Sequence, residues 1–224
     1  FRGCTSLASI TFANGVTSIG YGAFGDCGSL VSVRIPDSVT SIEGRAFEYC
    51  TNLTSINIPD GVSGIGWETF FGCINLTNVT IGNGLTSIGD SAFYGCASLS
   101  GIYFQGNAPS LGSEVFTGAS NATVYYLPGT SGWGPALANL PTAIWRLPYP
   151  LILNAGSCFG PQTNQFGFVV SWATNLLVIV EACTNLANPT WDPVSTNTLA
   201  NGTSDFHDPN WTTYPARLYR LRSP

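Results

Sequence analysis

A unit of 23 residues recurs along the first half of this chain without slippage. From Phe24 it reads Phe24, Cys27, Leu30, Val33, Ile35, Pro36, Asp37, Val39, Ile42. One period later it reads Phe47, Cys50, Leu53, Ile56, Ile58, Pro59, Asp60, Val62, Ile65. The cysteines Cys4, Cys27, Cys50, Cys73 and Cys96 hold the register, as do Phe1, Phe24, Phe47, Phe70, Phe93 and Phe116. A strict period in the twenties means stacked coils. Each coil is too small to bury its own apolar face and is stabilised by its neighbours.

Each coil can be parsed. Ile56 and Ile58 alternate with Ser55 and Asn57, the period-2 pattern of a strand with one buried face. Stacked copies predict a parallel sheet with strands about 4.8 Å apart. Pro59-Asp60-Gly61 supplies a corner, since Pro presets φ and Gly permits its reversal. Val62 to Ile65 is a second short extended stretch, and Trp67 to Phe71 predicts a single helical turn. The Leu-x-x-Ile-x-Ile spacing identifies the coils as leucine-rich repeats. The expected fold over residues 1–120 is therefore a repeat solenoid with a parallel β-sheet and short helical turns.

The motif Phe-x-x-Cys-x-x-Leu-x-x-Ile-x-Ile-Pro-x-x-Val-x-x-Ile-Gly, over roughly residues 1–118, resembles the BspA-like leucine-rich repeats of bacterial and protist surface proteins. The resemblance implies a right-handed solenoid, export to the cell surface or medium, and a role in binding or adhesion. It implies no activity, because that family is defined by its scaffold.

The sixth unit decays: Gln105 to Ser110 replaces the Pro-Asp-Gly corner. Residues 121–145 are expected to cap the stack, with a last strand at Val124–Leu127 and a short helix from Trp133 to Leu140 ended by Pro141. Residues 146–157 read as a linker, since two prolines in three residues favour an extended connection. Residues 158–224 lose the period. Phe166–Trp172 and Leu176–Ala182 are β-rich runs that suggest a hairpin, and Trp191–Ser195, Ser204–His207 and Arg217–Leu221 are further strand candidates. They predict a small antiparallel β-sandwich. This tail, from Val180-Glu181-Ala182-Cys183 through Trp191 to Tyr219-Arg220, resembles a C-terminal module on secreted proteins of verrucomicrobial bacteria. That resemblance implies an extracellular accessory domain.

Composition narrows the function classes. Charged residues make up 8% of the 224, against roughly 25% in ordinary soluble domains. All seven basic residues are Arg, and the net charge is −5. Ser, Thr, Asn and Gly must cover most of the surface, and no basic footprint for nucleic acid exists. No apolar run reaches the roughly 18 residues of a membrane span. The chain opens in mid-repeat without a signal peptide, which reads as a segment of a longer protein.

The candidate sites divide by position. Metal binding calls for closely spaced Cys pairs, and a 23-residue spacing has none, so the five repeat cysteines read as a structural ladder. No metal or cofactor is expected. Given the export that the resemblance implies, Cys158 and Cys183, both outside the repeat, are the candidate disulfide. His207 is the one histidine; no triad can be built around it, and it reads as a loop residue. Asp205 and Asp208 fall short of a Ca²⁺ ligand set. Asp37 and Asp60 fit the turn they occupy, although stacked carboxylates attract cations. Glu43, Glu48 and Glu68 lack the paired geometry of general acid–base catalysis. Arg217, Arg220 and Arg222 alternate with Leu218, Tyr219 and Leu221 as on a charged edge strand.

The outward strand positions remain: Ser9, Thr11, Ser32, Arg34, Ser55, Asn57, Asn78, Thr80, Gly101 and Tyr103. They are either a binding surface or plain solvation. Ser32, Arg34, Ser55, Asn57, Asn78, Thr80 and Tyr103 are the candidate ligand-binding set, with Arg34 and Tyr103 foremost. Tyr21, Tyr49, Trp67 and Tyr94 offer a second patch. The leading expectation is a non-catalytic extracellular or cell-surface binding protein whose partner is a protein or glycan. The alternatives are a self-assembling structural protein and the accessory region of a secreted enzyme.

Overall fold

The computed structural model describes residues 1–13, 15–145, 151–153, 160–161, 166–171, 176–185, 187, 189–199, 203–213 and 216–222. The chain divides into two compact units, Phe1–Tyr126 with Thr130–Ile144, and Leu127–Gly129 with Trp145–Pro224.

The first unit is a parallel β-solenoid. Strands Ser9–Ile10, Ser32–Arg34, Ser55–Ile58, Asn78–Ile81, Gly101–Phe104, Thr123–Tyr126 and Leu140–Ile144 lie side by side in one sheet. Register follows the repeat: Val33 pairs with Ile56, Ile56 with Val79, and Val79 with Ile102. The second extended stretch of each coil builds a second parallel sheet, from Ser18–Ile19 to Ser110–Leu111. Between them the Phe, Cys, Leu, Ile and Val ladders form one continuous core. The rings of Phe1, Phe24, Phe47, Phe70, Phe93 and Phe116 stack in a column with centroids 5.1–5.7 Å apart.

The expected helical turn does not form. Trp67–Phe71 and its equivalents are chains of tight turns. A helix would direct each N–H back along its own coil. Here stacking presents a carbonyl on the next coil instead. Phe47 N–H donates to Thr69 O at 2.9 Å and Phe70 N–H to Ala92 O at 2.8 Å, with flanking rungs Arg45 to Trp67 O and Tyr49 to Phe71 O. Turning every second amide the same way places the residues two before and two after each Phe in the left-handed region. Arg45 has φ 58°, Tyr49 54° and Glu68 51°. Every rung of this turn-side ladder is donated toward the following coil.

The helix expected over residues 133–140 is instead an antiparallel hairpin, Ala136–Leu137 with Leu140–Ile144. Ala138 (φ 47°) and Asn139 (φ 68°) make its two-residue turn, the left-handed pair that matches strand twist. Pro141 faces Ala136 one pair beyond the turn. That pair is the kind that exchanges no hydrogen bonds, so the hairpin loses none to Pro141. Leu140–Ile144 also pairs parallel to Thr123–Tyr126 and thereby ends the first sheet.

The second unit holds two antiparallel sheets. In one, Phe166–Ser171 pairs with Leu151–Leu153, Gly160–Pro161 and Thr203–Asp208. In the other, Leu177–Cys183 pairs with Asp192–Thr198 and Leu218–Arg222. The hairpin expected between the runs at 166–172 and 176–182 is therefore absent: the two runs lie in different sheets, and neither pairs with the other. Both runs bury alternate residues, and Phe168, Val170, Val178, Val180, Leu199 and Phe206 make one cluster between the sheets.

Candidate functional site

Alternation along the strands fixes which side chains leave the solenoid core. The first sheet presents two rows. One runs through Ser9, Ser32, Ser55, Asn78, Gly101 and Thr123, and the other through Arg34, Asn57, Thr80, Tyr103 and Tyr125. Ser32, Arg34, Ser55, Asn57 and Asn78 are exposed; Thr80 and Tyr103 are half-buried. All seven candidate ligand-binding residues thus share one face. Tyr103 folds back along its strand, with ring atoms 2.6–2.8 Å from where a Cβ on residue 101 would lie. With Gly at 101 the ring lies flat over the strand, and a larger residue there would displace it. Tyr103 also stacks on Tyr125 at 4.9 Å.

Many of the other hydroxyls are structural. Thr77 Oγ1 donates to Thr54 O at 2.9 Å, and Ser100 Oγ donates to Thr77 O at 3.0 Å. On the second sheet, Thr86 Oγ1 donates to Ser63 O at 2.9 Å. These side chains fasten coil to coil at the entries of the strands. Asp60 does similar work at its corner, accepting the N–H of Asn83 at 3.0 Å.

Charge is distributed unevenly. Among the described residues, five of the six arginines are ion-paired. Arg2 meets Asp26 and Glu48, Arg45 meets Glu48 and Glu68, Arg217 meets Asp208, and Arg220 and Arg222 share Glu181. The two guanidiniums hold the Glu181 carboxyl below its ordinary range, Arg222 contributing most. Arg34 alone has no carboxylate within ion-pair distance. It lines a hollow of about 570 Å³ with Thr11, Phe12, Pro36, Asp37 and Ser38.

The turn side carries the second patch. Tyr21, Tyr49 and Trp67 are exposed there. Arg45 lies over the Trp67 ring at 4.6 Å and pairs with Glu68 at 2.7 Å. Sequence reasoning singled out the aromatics and missed the ion pairs that hold them. The available signal was Arg45 and Glu68, opposite charges one repeat apart.

The cysteine ladder is a packing device with a hydrogen-bonding function. From Cys27 on, each thiol donates to the Phe carbonyl of the preceding coil: Cys27 to Phe1 O at 3.2 Å, Cys50 to Phe24 O at 3.2 Å, Cys73 to Phe47 O at 3.1 Å and Cys96 to Phe70 O at 3.2 Å. Burial pushes the Cys50 and Cys96 thiols up to about 12, and the Cys73 thiol well above its ordinary value. These sulfurs are neutral, inert donors. Cys158 lies outside the described residues, so its pairing with Cys183 stays an expectation. Cys183 is buried, its thiol 3.3 Å from Asn185 O.

His207 is an exposed residue of the strand Thr203–Asp208, opposite Gly167, and not of a loop. Asp208 is buried and accepts from the Tyr219 hydroxyl at 2.7 Å and the Asn210 N–H at 2.9 Å. Among the described residues no helix is long and apolar enough to cross a membrane.

Residues 1–130 match the family model for the BspA-type leucine-rich repeat region, in six copies. Among solved structures, a leucine-rich cell surface protein from Faecalibacterium prausnitzii is 32% identical over 56% of this chain, with a TM-score of 0.51. This chain spans about a third (34%) of that protein. A leucine-rich repeat protein of T. pallidum is 30% identical over 55% of this chain and 68% of its own, at a TM-score of 0.43. No curated protein matches the chain.

Proposed function

The chain belongs to the BspA-type leucine-rich repeat family, and from that premise we propose that it is a non-catalytic binding protein of the bacterial cell surface. Its partner is engaged by the exposed face of the first parallel sheet. One observation carries this reading. The face repeats hydrogen-bonding side chains in two register-locked rows and carries the stacked pair Tyr103 and Tyr125. Such a surface offers regularly spaced donors and acceptors over several coils, and solenoids use extended faces of this kind for recognition. The similarity to a protein described as a leucine-rich cell surface protein supports the location. The tail resemblance over residues 160–224 supports an extracellular accessory role for the second unit.

The test is a binding screen of the whole chain against surface proteins and glycans, repeated with the triple variant Asn57→Ala, Asn78→Ala, Thr80→Ala. Partners retained by the wild type should bind the variant at least about tenfold more weakly, the scale of a few lost interface contacts. Unchanged binding by the triple variant, with loss in Trp67→Ala, would move the site to the turn side and overturn the reading.

A further inference from the structure

We propose that the hollow at Arg34 is a carboxylate subsite for an acidic glycan, a polymer of uronic acid type, laid along the Arg34–Asn57–Thr80 row. The inference rests on the sheet face being the binding surface and names the ligand class it takes.

Charge economy is the first support. Only 8% of this chain is charged, and Lys is absent. Every other described arginine has a carboxylate within 4 Å. Arg34 is exposed and has none. A guanidinium is a planar fork that holds a carboxylate through two parallel N–H donors, a geometry Lys cannot supply. The exposed Arg34 guanidinium therefore offers this fork to a carboxylate from outside the chain.

The surroundings select the rest of the ligand. Thr11 brings a hydroxyl to the hollow, Ser38 Oγ, which donates to Val16 O at 2.7 Å, is left to accept, and Phe12 and Pro36 give an apolar wall. Arg34 is paired in register with Asn57, and Asn57 with Thr80. Coil spacing near 4.8 Å then places amide and hydroxyl groups at regular steps away from the charge. A polyhydroxylated chain with a carboxylate uses all of these groups. An acidic peptide also satisfies Arg34, but it brings apolar side chains to two rows that hold Ser, Asn and Thr. Asp37 lines the same hollow and limits how many negative charges it accepts, which favours one carboxylate per sugar over a dense polyanion.

The experiment is affinity electrophoresis of the whole chain in native gels containing polygalacturonate, methyl-esterified polygalacturonate, dextran or poly-glutamate. Expected is retardation by polygalacturonate alone, weakened by added salt. Arg34→Gln should reduce the association constant about tenfold or more, the scale of hydrogen bonds to a charged group. Arg34→Lys should recover only part of it. Arg220→Gln, in the other unit, should change nothing. The proposal fails if Arg34→Gln is retarded like the wild type, if the methyl ester retards equally, or if poly-glutamate is preferred. Binding of a neutral glycan or a protein that is lost in the Asn57, Asn78, Thr80 triple variant but indifferent to Arg34→Gln would overturn this inference alone. The sheet-face reading would then stand.

Discussion

At the scale of single residues, the ladder cysteines show how a small hydrophobe earns a repeated place. The Phe24 carbonyl receives both the Cys27 N–H at 3.3 Å and the Cys50 thiol at 3.2 Å. Ala would keep the packing and lose the donor. Native iodoacetamide labelling followed by peptide mapping should therefore mark the exposed Cys4 and spare Cys27, Cys50, Cys73 and Cys96. Comparable labelling of Cys73 and Cys4 is the contrary result. The same thiols set an alkaline limit. Their ionisation is suppressed in the fold, so stability is intact below about 9, where unfolded thiols ionise. It falls as pH rises from there toward about 12, because the unfolded chain then releases protons that the folded chain keeps. Urea midpoints measured from pH 8 to 11 should decline, and less steeply in Cys50→Ala.

At the scale of elements, the repeat made one half of the fold legible and the rest opaque. A strand in the solenoid finds its partner one period away, so register follows from the sequence alone: Ile56 must meet Val33 and Val79. The outward rows were readable for the same reason. The turns between Trp67 and Phe71 were not, because their conformation is decided by the carbonyls of the next coil and not by local propensity. Nor was the pairing of Phe166–Ser171, whose alternation announces a strand without saying that Thr203–Asp208 will lie beside it. Residues 133–140 misled through apparent helix punctuation at Pro141. The informative residue was Asn139, whose φ of 68° suits Asn or Gly. Asn139→Gly should be close to neutral, while Asn139→Val should cost about 1–2 kcal/mol in chemical unfolding. Close approach governs another corner: a Cβ on Gly84 would lie 2.0 Å from Asp60 O. Gly84→Ala should cost about 1–3 kcal/mol, the range of an overpacked contact.

At the scale of the whole molecule, two separate hydrophobic clusters hold the two units. Calorimetry should resolve two transitions. Phe70→Ala removes a ring from the middle of the solenoid column and should cost about 3–5 kcal/mol. That lowers one transition by on the order of 10 °C and leaves the other in place; a shift of both together would contradict separate cores. The turn-side ladder has an electrical consequence. Peptide dipoles of about 3.5 D, donated rung after rung in one direction, add along the stack as they do in a helix. The column is positive at its last coil, where among the described residues the amides of Glu114, Phe116 and Gly118 meet no further rung, and negative at its first. Glu114 stands at the positive end and Arg2 at the negative one. Glu114→Lys should then lower the urea midpoint by the equivalent of about 0.3–1 kcal/mol at low salt, and by less at high salt. The turn side of a stack built from identical coils thus has two unlike poles, and a charged group nearing that side is attracted to one end and repelled by the other.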